Sequence, residues 1–178
     1  MNTQILIAGF GGQGILFAGK FLAYEALTDN REVSWLPSYG PEMRGGTANC
    51  SIIISDNKIG SPIVDKPDIL IAMNTPSYDK YIDAIVPGGK VFVDSSLIDR
   101  KCERTDISAH YIPATKMASD NELSGLANMI IIGNLIANTD FINSEKIESA
   151  MKHVVPAAKQ NLFDLNMKAI ELGIDFKN

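Results

Sequence analysis

Three glycines near the start of the chain have the spacing of a loop that binds phosphate groups. The pattern is G-x-G-x-x-G, and it lies between an apolar segment and a helical one. Glycine permits a positive φ and lets the backbone approach a ligand closely. The amides of such a turn, together with the N-terminus of the following helix, form a site for a phosphate or another anion. The sequence therefore predicts an anion-binding site made by Gly9, Gly11, Gly12, Gln13 and Gly14.

A second stretch rich in reactive side chains is SYGPEMRGG at residues 38–46. Its glycines and proline exclude regular secondary structure, and loops that carry this much chemistry are usually binding loops. Arg44 has the geometry for paired hydrogen bonds to a phosphate or a carboxylate, or it pairs with Glu42 inside the loop. Both interpretations remain open at this stage. The binding residues that we expect from this region are Ser38, Tyr39, Arg44 and Gly45.

The segments that must position these two loops predict an α/β fold. Strand candidates alternate with helical segments, which is typical of a mostly parallel sheet. We therefore predict a single domain over residues 1–178, a Rossmann-like three-layer sandwich with helices on both faces of the sheet. A pair of strands joined by a loop alone predicts one antiparallel pair. The candidate strands are Ile5–Ala8, Val33–Leu36, Thr47–Ile54, Ile69–Ala72, Lys90–Asp94 and His110–Ile112, and the second and third form that pair.

Capping residues and glycines set the expected bounds of the helices. The first helix is expected over Ile15–Leu27, and the second runs from an N-cap at Thr75 to Ala84. A long helical stretch, 114–138, is expected to break near residues 124–125. Two further helices are expected over Ser144–His153 and Pro156–Leu172, with Gly173 as the C-terminal cap of the last one.

Polar residues follow two of the predicted parallel strands. Asn74 and Thr75 follow one strand, and Asp94–Ser96 ends the next. Ligands of open α/β sheets lie outside the carboxyl ends of the strands, so these residues and the glycine turn are expected at one edge. They serve either as ligand contacts or only as turns and caps, and both interpretations stay open. We count Asn74 among the expected binding residues.

Composition and charge exclude several function classes. The net charge of −5 argues against nucleic acid as a partner. No apolar run reaches transmembrane length, and the uncharged start Met1–Gln4 does not resemble a signal peptide, so we expect a cytoplasmic protein without a membrane association. Cys50 and Cys102 are far apart in the sequence, which predicts free, reduced thiols. Two cysteines are too few to ligate an iron–sulfur cluster.

The glycine pattern is also compatible with a nicotinamide dehydrogenase. Such an enzyme needs an acidic residue at the end of its second strand for the ribose hydroxyls. Here that strand runs into Pro37–Gly40, while Asp29 and Glu32 come too early. The missing acid disfavours this alternative. A third alternative is an assembly module in which the glycine turn only packs a helix on the sheet and binds nothing.

The two loops in tandem resemble a known family. GFGGQG at residues 9–14, followed by SYGPEMRGG at 38–46, resembles the gamma subunit of 2-oxoacid:ferredoxin oxidoreductases. The resemblance covers nearly the whole chain, including DILIAMN at 68–74 and NMIIIG at 128–133. It implies a multisubunit, oxygen-sensitive enzyme that converts a 2-oxoacid and coenzyme A to acyl-CoA and carbon dioxide and reduces ferredoxin. Of the 2-oxoacids, the resemblance favours 2-oxoglutarate, with branched-chain oxoacids and pyruvate as alternatives.

The resemblance also implies a division of labour between subunits. This chain would contribute to the coenzyme A site and to assembly, with no catalytic residue, no metal site and no tightly held cofactor of its own. Thiamine diphosphate, magnesium and the 4Fe–4S clusters would lie in partner subunits, which are an alpha chain, a beta chain and in some complexes a ferredoxin-like delta chain. Ferredoxin would accept the electrons of the complex. The isolated chain would be inactive and able to form a homodimer. His110 and His153, its two histidines, lie neither in a glycine loop nor beside a nucleophile in the sequence, so we expect them to be structural or solvated.

Two further expectations concern how this subunit is arranged. The apolar segment Met129–Ile132 predicts a helix buried between the sheet and another layer. Together with the loop 38–46, we expect it to form surfaces that another subunit completes. We also expect the strand at Val33–Leu36 to lie beside the first strand, which would bring Arg44 and the glycine turn to the same sheet edge.

Overall fold

The computed structural model describes residues 1–39 and 47–177. The described part contains a six-stranded sheet and six α-helices. The strands are β1 (Asn2–Phe10), β2 (Glu32–Tyr39), β3 (Thr47–Ser55), β4 (Ile69–Ala72), β5 (Lys90–Asp94) and β6 (Ser108–Ile112). The helices are α1 (Ile15–Thr28), α2 (Thr75–Tyr81), α3 (Ala114–Asp120), α4 (Ala127–Ala137), α5 (Ile147–Val154) and α6 (Gln160–Asp175), with short 3₁₀ turns at Ile82–Ala84 and Ser144–Lys146.

The sheet has the strand order β2-β3-β1-β4-β5-β6. Three neighbouring pairs are parallel, while β3 is antiparallel to both β1 and β2. The predicted α/β class with a mostly parallel sheet is confirmed, and so is the antiparallel β2–β3 pair. The expectation that β2 lies beside β1 is wrong, because β3 lies between them. All nine residues of β1 pair with β3, from Asn2 opposite Ser55 to Phe10 opposite Thr47.

Both faces of the sheet are covered, but unequally. The larger core lies between one face and helices α1, α3, α4, α5 and α6, and its fully buried side chains include Phe21, Ile52 and Ile131. The other face is packed by Tyr78 of α2 and by Ile98 from the segment after β5. Helices on both faces make the three-layer arrangement that the alternation of strands and helices predicts.

Helix α4 lies at the centre of the larger core. Its residues Met129–Ile132 are fully buried, as the apolar sequence predicts. The layer that covers them belongs to the same chain, since α6 packs along α4 and α3 packs beside it. Because Met129–Ile132 are already buried within the chain, these four residues leave no apolar surface for a partner to cover. The expectation that this helix offers a surface to another subunit is therefore wrong. The other part of that expected surface, the loop 38–46, lies mostly outside the described residues, and self-association stays a prediction.

Several helix ends differ from the sequence prediction. Asn74 rather than Thr75 is the N-cap of α2, and its side-chain oxygen accepts the backbone N–H of Ser77 at 2.8 Å. Asn143, not Ser144, caps the turn before α5. Helix α6 begins four residues after Pro156 and continues past Gly173. The predicted break near residues 124–125 is confirmed, with Gly125 at a φ of 82° between α3 and α4.

None of the helices that the structure describes combines the length and apolar character needed to cross a bilayer.

Candidate functional site

The carboxyl ends of β1 and β4 mark the point where the sheet reverses its connections. After β1 the chain passes through α1 to β2 on one side, and after β4 it passes through α2 to β5 on the other. Because β1 and β4 are parallel neighbours, a crevice opens between the two diverging connections. Open α/β sheets bind their ligands at such a switch point. The glycine turn and Asn74 both lie there, as predicted from the sequence.

The glycine turn ends in the N-cap of α1. Gly14 holds this position with a φ of 72°, and Gly12 has a φ of 97°, so both lie in the left-handed region that favours glycine. Among the described residues, no side chain caps the first turn of α1, and that turn carries no acidic residue. The first amides of a helix lack partners within the helix and carry a partial positive charge. The turn therefore offers hydrogen-bond donors to an anion.

Gln13 uses both of its polar atoms to close the turn. Its Oε1 accepts the backbone N–H of Phe10 at 2.6 Å, and its Nε2 donates to the carbonyl oxygen of Met73 at 2.9 Å. Its own backbone N–H donates to the carbonyl of Phe10 at 3.2 Å. The side chain thus links the end of β1 to the end of β4. Gln13 was expected among the binding residues, and its observed contacts are with the protein itself.

Asn128 holds the other end of the turn, and it is a residue that the sequence reasoning missed. Its Nδ2 donates to the carbonyl oxygen of Gly14 at 3.0 Å, and its side chain is almost fully buried. The available signal was a single asparagine in the apolar segment ANMIIIG of α4, because a buried amide needs a hydrogen-bond partner.

Glycine is required at the different positions of the turn for different structural reasons. A Cβ on Gly9 would lie 2.6 Å from Oε1 of Gln13 and 2.8 Å from Cδ1 of Ile15. A Cβ on Gly14 would overlap the amide of Asn128. A Cβ on Gly12 would meet nothing within 4 Å, so Gly12 faces open space. The open face of the turn is therefore at Gly12, while Gly9 and Gly14 accommodate neighbouring side chains.

The polar tips of β4 and β5 are occupied by capping contacts. The oxygen of Asn74 caps α2, while its Nδ2, also buried, has no partner among the described residues. The fully buried carboxylate of Asp94 accepts the hydroxyl of Thr115 at 2.5 Å and the backbone N–H groups of Thr115 and Ser96. Of the two interpretations left open by the sequence, the capping role holds for Asp94 and for the oxygen of Asn74.

A cleft of about 370 Å³ opens beside the glycine turn, between it and the α3–α4 connection. Its lining is mainly hydroxyl-bearing and apolar, and Glu122 is the one charged residue in the described lining. A carboxylate disfavours phosphate here, so an anion would bind on the turn itself rather than deep in this cleft. The described lining is Gly12, Gln13, Met73, Leu97, Thr115, Ala118, Ser119, Glu122, Ser124, Gly125 and Ala127.

The second predicted loop falls largely outside the described residues. Arg44 and Gly45 lie there, as does Glu42, and so the proposed pairing of Arg44 stays a prediction. Ser38 is exposed on β2 and is separated from β1 by β3, a distance of about 10 Å across two strand spacings. The backbone of Tyr39 ends β2 opposite Ala48.

The described flank of this loop nevertheless reaches the glycine turn. Thr47, the first described residue after the loop, pairs with Phe10, the last residue of β1. The connection to the turn therefore runs through β3, and not through an adjacent β2. The sequence analysis expected this connection to run through a β2 strand beside β1. The observed connection through β3 reaches the same edge of the sheet, at the carboxyl end of β1.

The histidines make stacking contacts, while the buried thiol of Cys50 donates to the carbonyl oxygen of Ile15 at the start of α1. The ring of His110 stacks on Phe92 with centroids 4.7 Å apart, and burial lowers its pKa. His153 is exposed and stacks on Tyr24. Cys50 and Cys102 carry free thiols, and burial raises the pKa of Cys50 to about 12. Within residues 1–39 and 47–177, no three His, Cys, Asp or Glu side chains come together in a way that could hold a metal ion.

Comparison with known proteins gives a consistent result. Residues 4–176 match the family described as pyruvate ferredoxin/flavodoxin oxidoreductase. The chain is 39% identical over 178 residues to 2-oxoglutarate synthase subunit KorC of Methanocaldococcus jannaschii, covering 98% of this chain and 94% of that subunit. It is 36% identical over 176 residues to ketoisovalerate oxidoreductase subunit VorA of Methanothermobacter thermautotrophicus. That match covers 98% of this chain but 36% of VorA, so the chain spans about a third of the length of this relative.

A solved structure has the same fold. The gamma subunit of keto/oxoacid ferredoxin oxidoreductase from Geobacter sulfurreducens superposes with a TM-score of 0.84 at 29% identity, covering 98% of this chain and 95% of that one. A 2-oxoglutarate:ferredoxin oxidoreductase from Magnetococcus marinus superposes with a TM-score of 0.86 at 23% identity, covering 97% of this chain and 30% of the other, which supports the fold alone.

Proposed function

The chain belongs to the pyruvate ferredoxin/flavodoxin oxidoreductase family, and we propose that it is the gamma-type subunit of a 2-oxoacid:ferredoxin oxidoreductase. Family membership confirms the resemblance that the two glycine-rich loops indicate. Its role in the complex is to help bind coenzyme A and to assemble with the other subunits. Bond chemistry takes place on the other chains.

The observation that carries this proposal is the glycine turn at the switch point. Coenzyme A has a pyrophosphate and a further phosphate on its ribose, so its site needs several amide donors. The start of α1 supplies such donors without a capping side chain among the described residues, and Gly12 leaves the approach open. Binding a co-substrate in a fixed orientation accelerates a reaction between two molecules, even when the binding subunit supplies no reacting group.

The cation that such a site needs is assigned to Arg44. A planar guanidinium binds a phosphate through two hydrogen bonds. In the described lining of the neighbouring cleft, the charged residue is Glu122, which would repel a phosphate. The loop that carries Arg44 joins β3 at Thr47, directly opposite Phe10 at the end of β1. Thr47, the described end of this loop, thus lies at the sheet edge that carries the turn, and this supports the choice of Arg44.

The cofactors of the reaction are placed on partner subunits. Thiamine diphosphate supplies the decarboxylation chemistry, and iron–sulfur clusters carry the electrons to ferredoxin. A cluster needs about four thiolates, and this chain has two cysteines, of which Cys50 is buried with a raised pKa. The described residues do not fit these groups. We place them on alpha and beta chains, with a ferredoxin-like delta chain as a further partner.

The preferred substrate of the complex is 2-oxoglutarate. Four relatives that are 32–39% identical and matched along 87–95% of their own length are named as 2-oxoglutarate synthase subunits, among them KorC of Methanocaldococcus jannaschii. Ketoisovalerate, the substrate in the name of VorA, and pyruvate, in the family's name, are the alternatives.

The strand order disfavours the nicotinamide dehydrogenase alternative. The ribose-binding acid of that class follows a second strand that lies parallel beside the first. Here the neighbour of β1 on that side is β3, which runs antiparallel and begins at this edge with Thr47. Among the described residues, no strand beside β1 on this side has its carboxyl end at this edge, which is where the acid would have to follow. A measurement of coenzyme A binding to the complex distinguishes our proposal from the assembly-module alternative, in which the glycine turn binds nothing.

The proposal is tested with the complex reconstituted with and without this chain. The isolated chain, assayed with a 2-oxoacid, coenzyme A, thiamine diphosphate, magnesium and a viologen dye, should give no turnover. The full complex should turn over with saturable dependence on coenzyme A. A complex of the other subunits that forms without this chain and binds coenzyme A with unchanged affinity would contradict the proposed role. Turnover by the purified chain alone would also contradict it.

A further inference from the structure

Two amide side chains hold the glycine turn from opposite ends. Gln13 connects Phe10 at the end of β1 to Met73 at the end of β4. Asn128, on a helix more than a hundred residues away in the sequence, holds the carbonyl of Gly14. The orientation of the Gln13 amide is fixed by its partners, since an N–H faces its oxygen and a carbonyl faces its nitrogen. The two side chains therefore form a clamp with a defined hydrogen-bond polarity.

The clamp accounts for two of the three glycines in the G-x-G-x-x-G pattern. Gly9 leaves the space that the oxygen of Gln13 fills, and Gly14 leaves the space that the amide of Asn128 fills. The remaining part of the turn, Gly11 and Gly12, is exposed. The side of the turn that faces the protein is thus fully engaged by the clamp, and the other side is available to a ligand.

We propose that Gln13 and Asn128 are positioning residues, whose amide groups hold the glycine turn in the shape that presents its open face at Gly11 and Gly12 to coenzyme A. This inference rests on the proposed function for the identity of the ligand. Neither side chain need touch the ligand, because both amides act through the backbone. Donor groups that are held in place before binding do not have to be ordered during it, and this increases affinity.

The test replaces each amide by a carboxyl group of the same shape. Gln13→Glu and Asn128→Asp keep one oxygen but place a second oxygen against the carbonyls of Met73 and Gly14, where a donor is required. In the reconstituted complex, each variant should raise the KM for coenzyme A about ten-fold. The KM for the 2-oxoacid and the kcat should stay within two-fold, because the thiamine site lies on other chains.

The pH dependence of Gln13→Glu separates hydrogen bonding from packing. Protonation of the introduced carboxyl restores a donor toward the carbonyl of Met73. The ratio of the variant's KM for coenzyme A to that of the wild type should therefore fall as the pH is lowered from 8 to 6. A variant that merely disturbs packing would show a constant ratio. Because Gln13 lies on a partly exposed turn, this variant carries the test even where Asn128→Asp does not assemble.

Asn166→Asp is the matched control. Like Asn128, Asn166 is almost fully buried, donates its amide to a backbone carbonyl, that of Leu162 at 2.7 Å, and has an oxygen without a partner among the described residues. It lies on α6, away from the turn. This variant should lower the melting temperature about as much as Asn128→Asp while leaving the KM for coenzyme A unchanged. An equal rise in that KM in the control would overturn the positioning role.

A third variant distinguishes failure of the clamp from failure of the site. Gly12→Ala adds a methyl group on the open face of the turn, at a φ that alanine rarely adopts, where it meets nothing within 4 Å apart from the two adjacent residues. If Gly12→Ala raises the KM for coenzyme A but Gln13→Glu and Asn128→Asp do not, the turn binds coenzyme A but Gln13 and Asn128 do not position it. If all three variants leave it unchanged, the coenzyme A site proposed for this chain is itself wrong.

Discussion

Gly133 on α4 and Gly173 on α6 lie back to back, so closely that neither has room for a methyl group. A Cβ on Gly173 would lie 2.9 Å from the Cα of Gly133 and would overlap the carbonyl oxygen of Ile130. A Cβ on Gly133 would overlap the carbonyl oxygen of Ile170. This contact gives the physical reason why the sequence prediction of a helix end at Gly173 is wrong. The glycine permits close packing of two helices, and α6 continues to Asp175.

Gly173→Ala should destabilise the folded chain by about 2–3 kcal/mol, because the added methyl group meets backbone atoms that cannot turn aside. The free energy of unfolding is measured by urea denaturation. Gly60→Ala is the control, since a Cβ there meets nothing within 4 Å, and it should change the stability by less than about 0.5 kcal/mol. Equal stabilities of the Gly173→Ala variant and the wild type would show that α4 and α6 separate at little cost.

Asp94→Ala should lower the free energy of unfolding by about 2–4 kcal/mol. The buried carboxylate accepts hydrogen bonds from the hydroxyl and amide of Thr115 and from the amide of Ser96, and hydrogen bonds to charged groups contribute about 1.5–3 kcal/mol. The KM for coenzyme A of the assembled complex should not change, since these contacts are internal. Asp99→Ala, at an exposed position nearby, is the control for the lost charge. A higher KM for coenzyme A in Asp94→Ala at normal stability would instead make Asp94 a ligand contact.

The strands were predictable from the sequence because their signal is local. The apolar runs Ile69–Ala72 and Lys90–Asp94 coincide with β4 and β5, and the other four strands extend the predicted segments by a few residues. The position of β3 between β1 and β2 was not predictable in this way. It depends on pairing along the full length of β1, which is a relationship between distant segments that neither segment displays alone.

The same distinction between local signals and contacts between distant segments applies to the candidate site. The glycine turn and the polar strand tips were found from spacing, and the topology brings them to one edge. The partners of these residues were not found, because they are set by tertiary packing. Asn128 lies 114 residues from Gly14 in the sequence, and Asp94 lies 21 residues before Thr115, whose hydroxyl donates to it. The sequence therefore identifies which residues carry polar groups, whereas the structure decides which of those groups are already occupied.

His110 should make the folded chain less stable as the solution is acidified. Burial, together with nearby Lys90, lowers the pKa of His110 below its usual value of about 6.5. Below that pH the unfolded chain binds a proton that the folded chain resists, so the free energy of unfolding falls as the pH drops from about 6.5 toward the lowered pKa. His110→Phe should reduce this fall while keeping the stack on Phe92. An unchanged pH dependence in His110→Phe would contradict this origin of the acid sensitivity.

Arg44→Ala should weaken coenzyme A binding by about 1.5–3 kcal/mol, which is the range for hydrogen bonds to charged groups and corresponds to a KM for coenzyme A at least about ten-fold higher. The KM for the 2-oxoacid should hardly change, because our proposal places the thiamine site on other chains. Both constants are measured in the reconstituted complex after its assembly has been checked. Lys58→Ala is the charge-matched control, since Lys58 follows β3 at the opposite edge of the sheet from Phe10 and Thr47. An unchanged constant for coenzyme A in an intact Arg44→Ala complex would make Arg44 a structural residue, paired with Glu42 within its own loop.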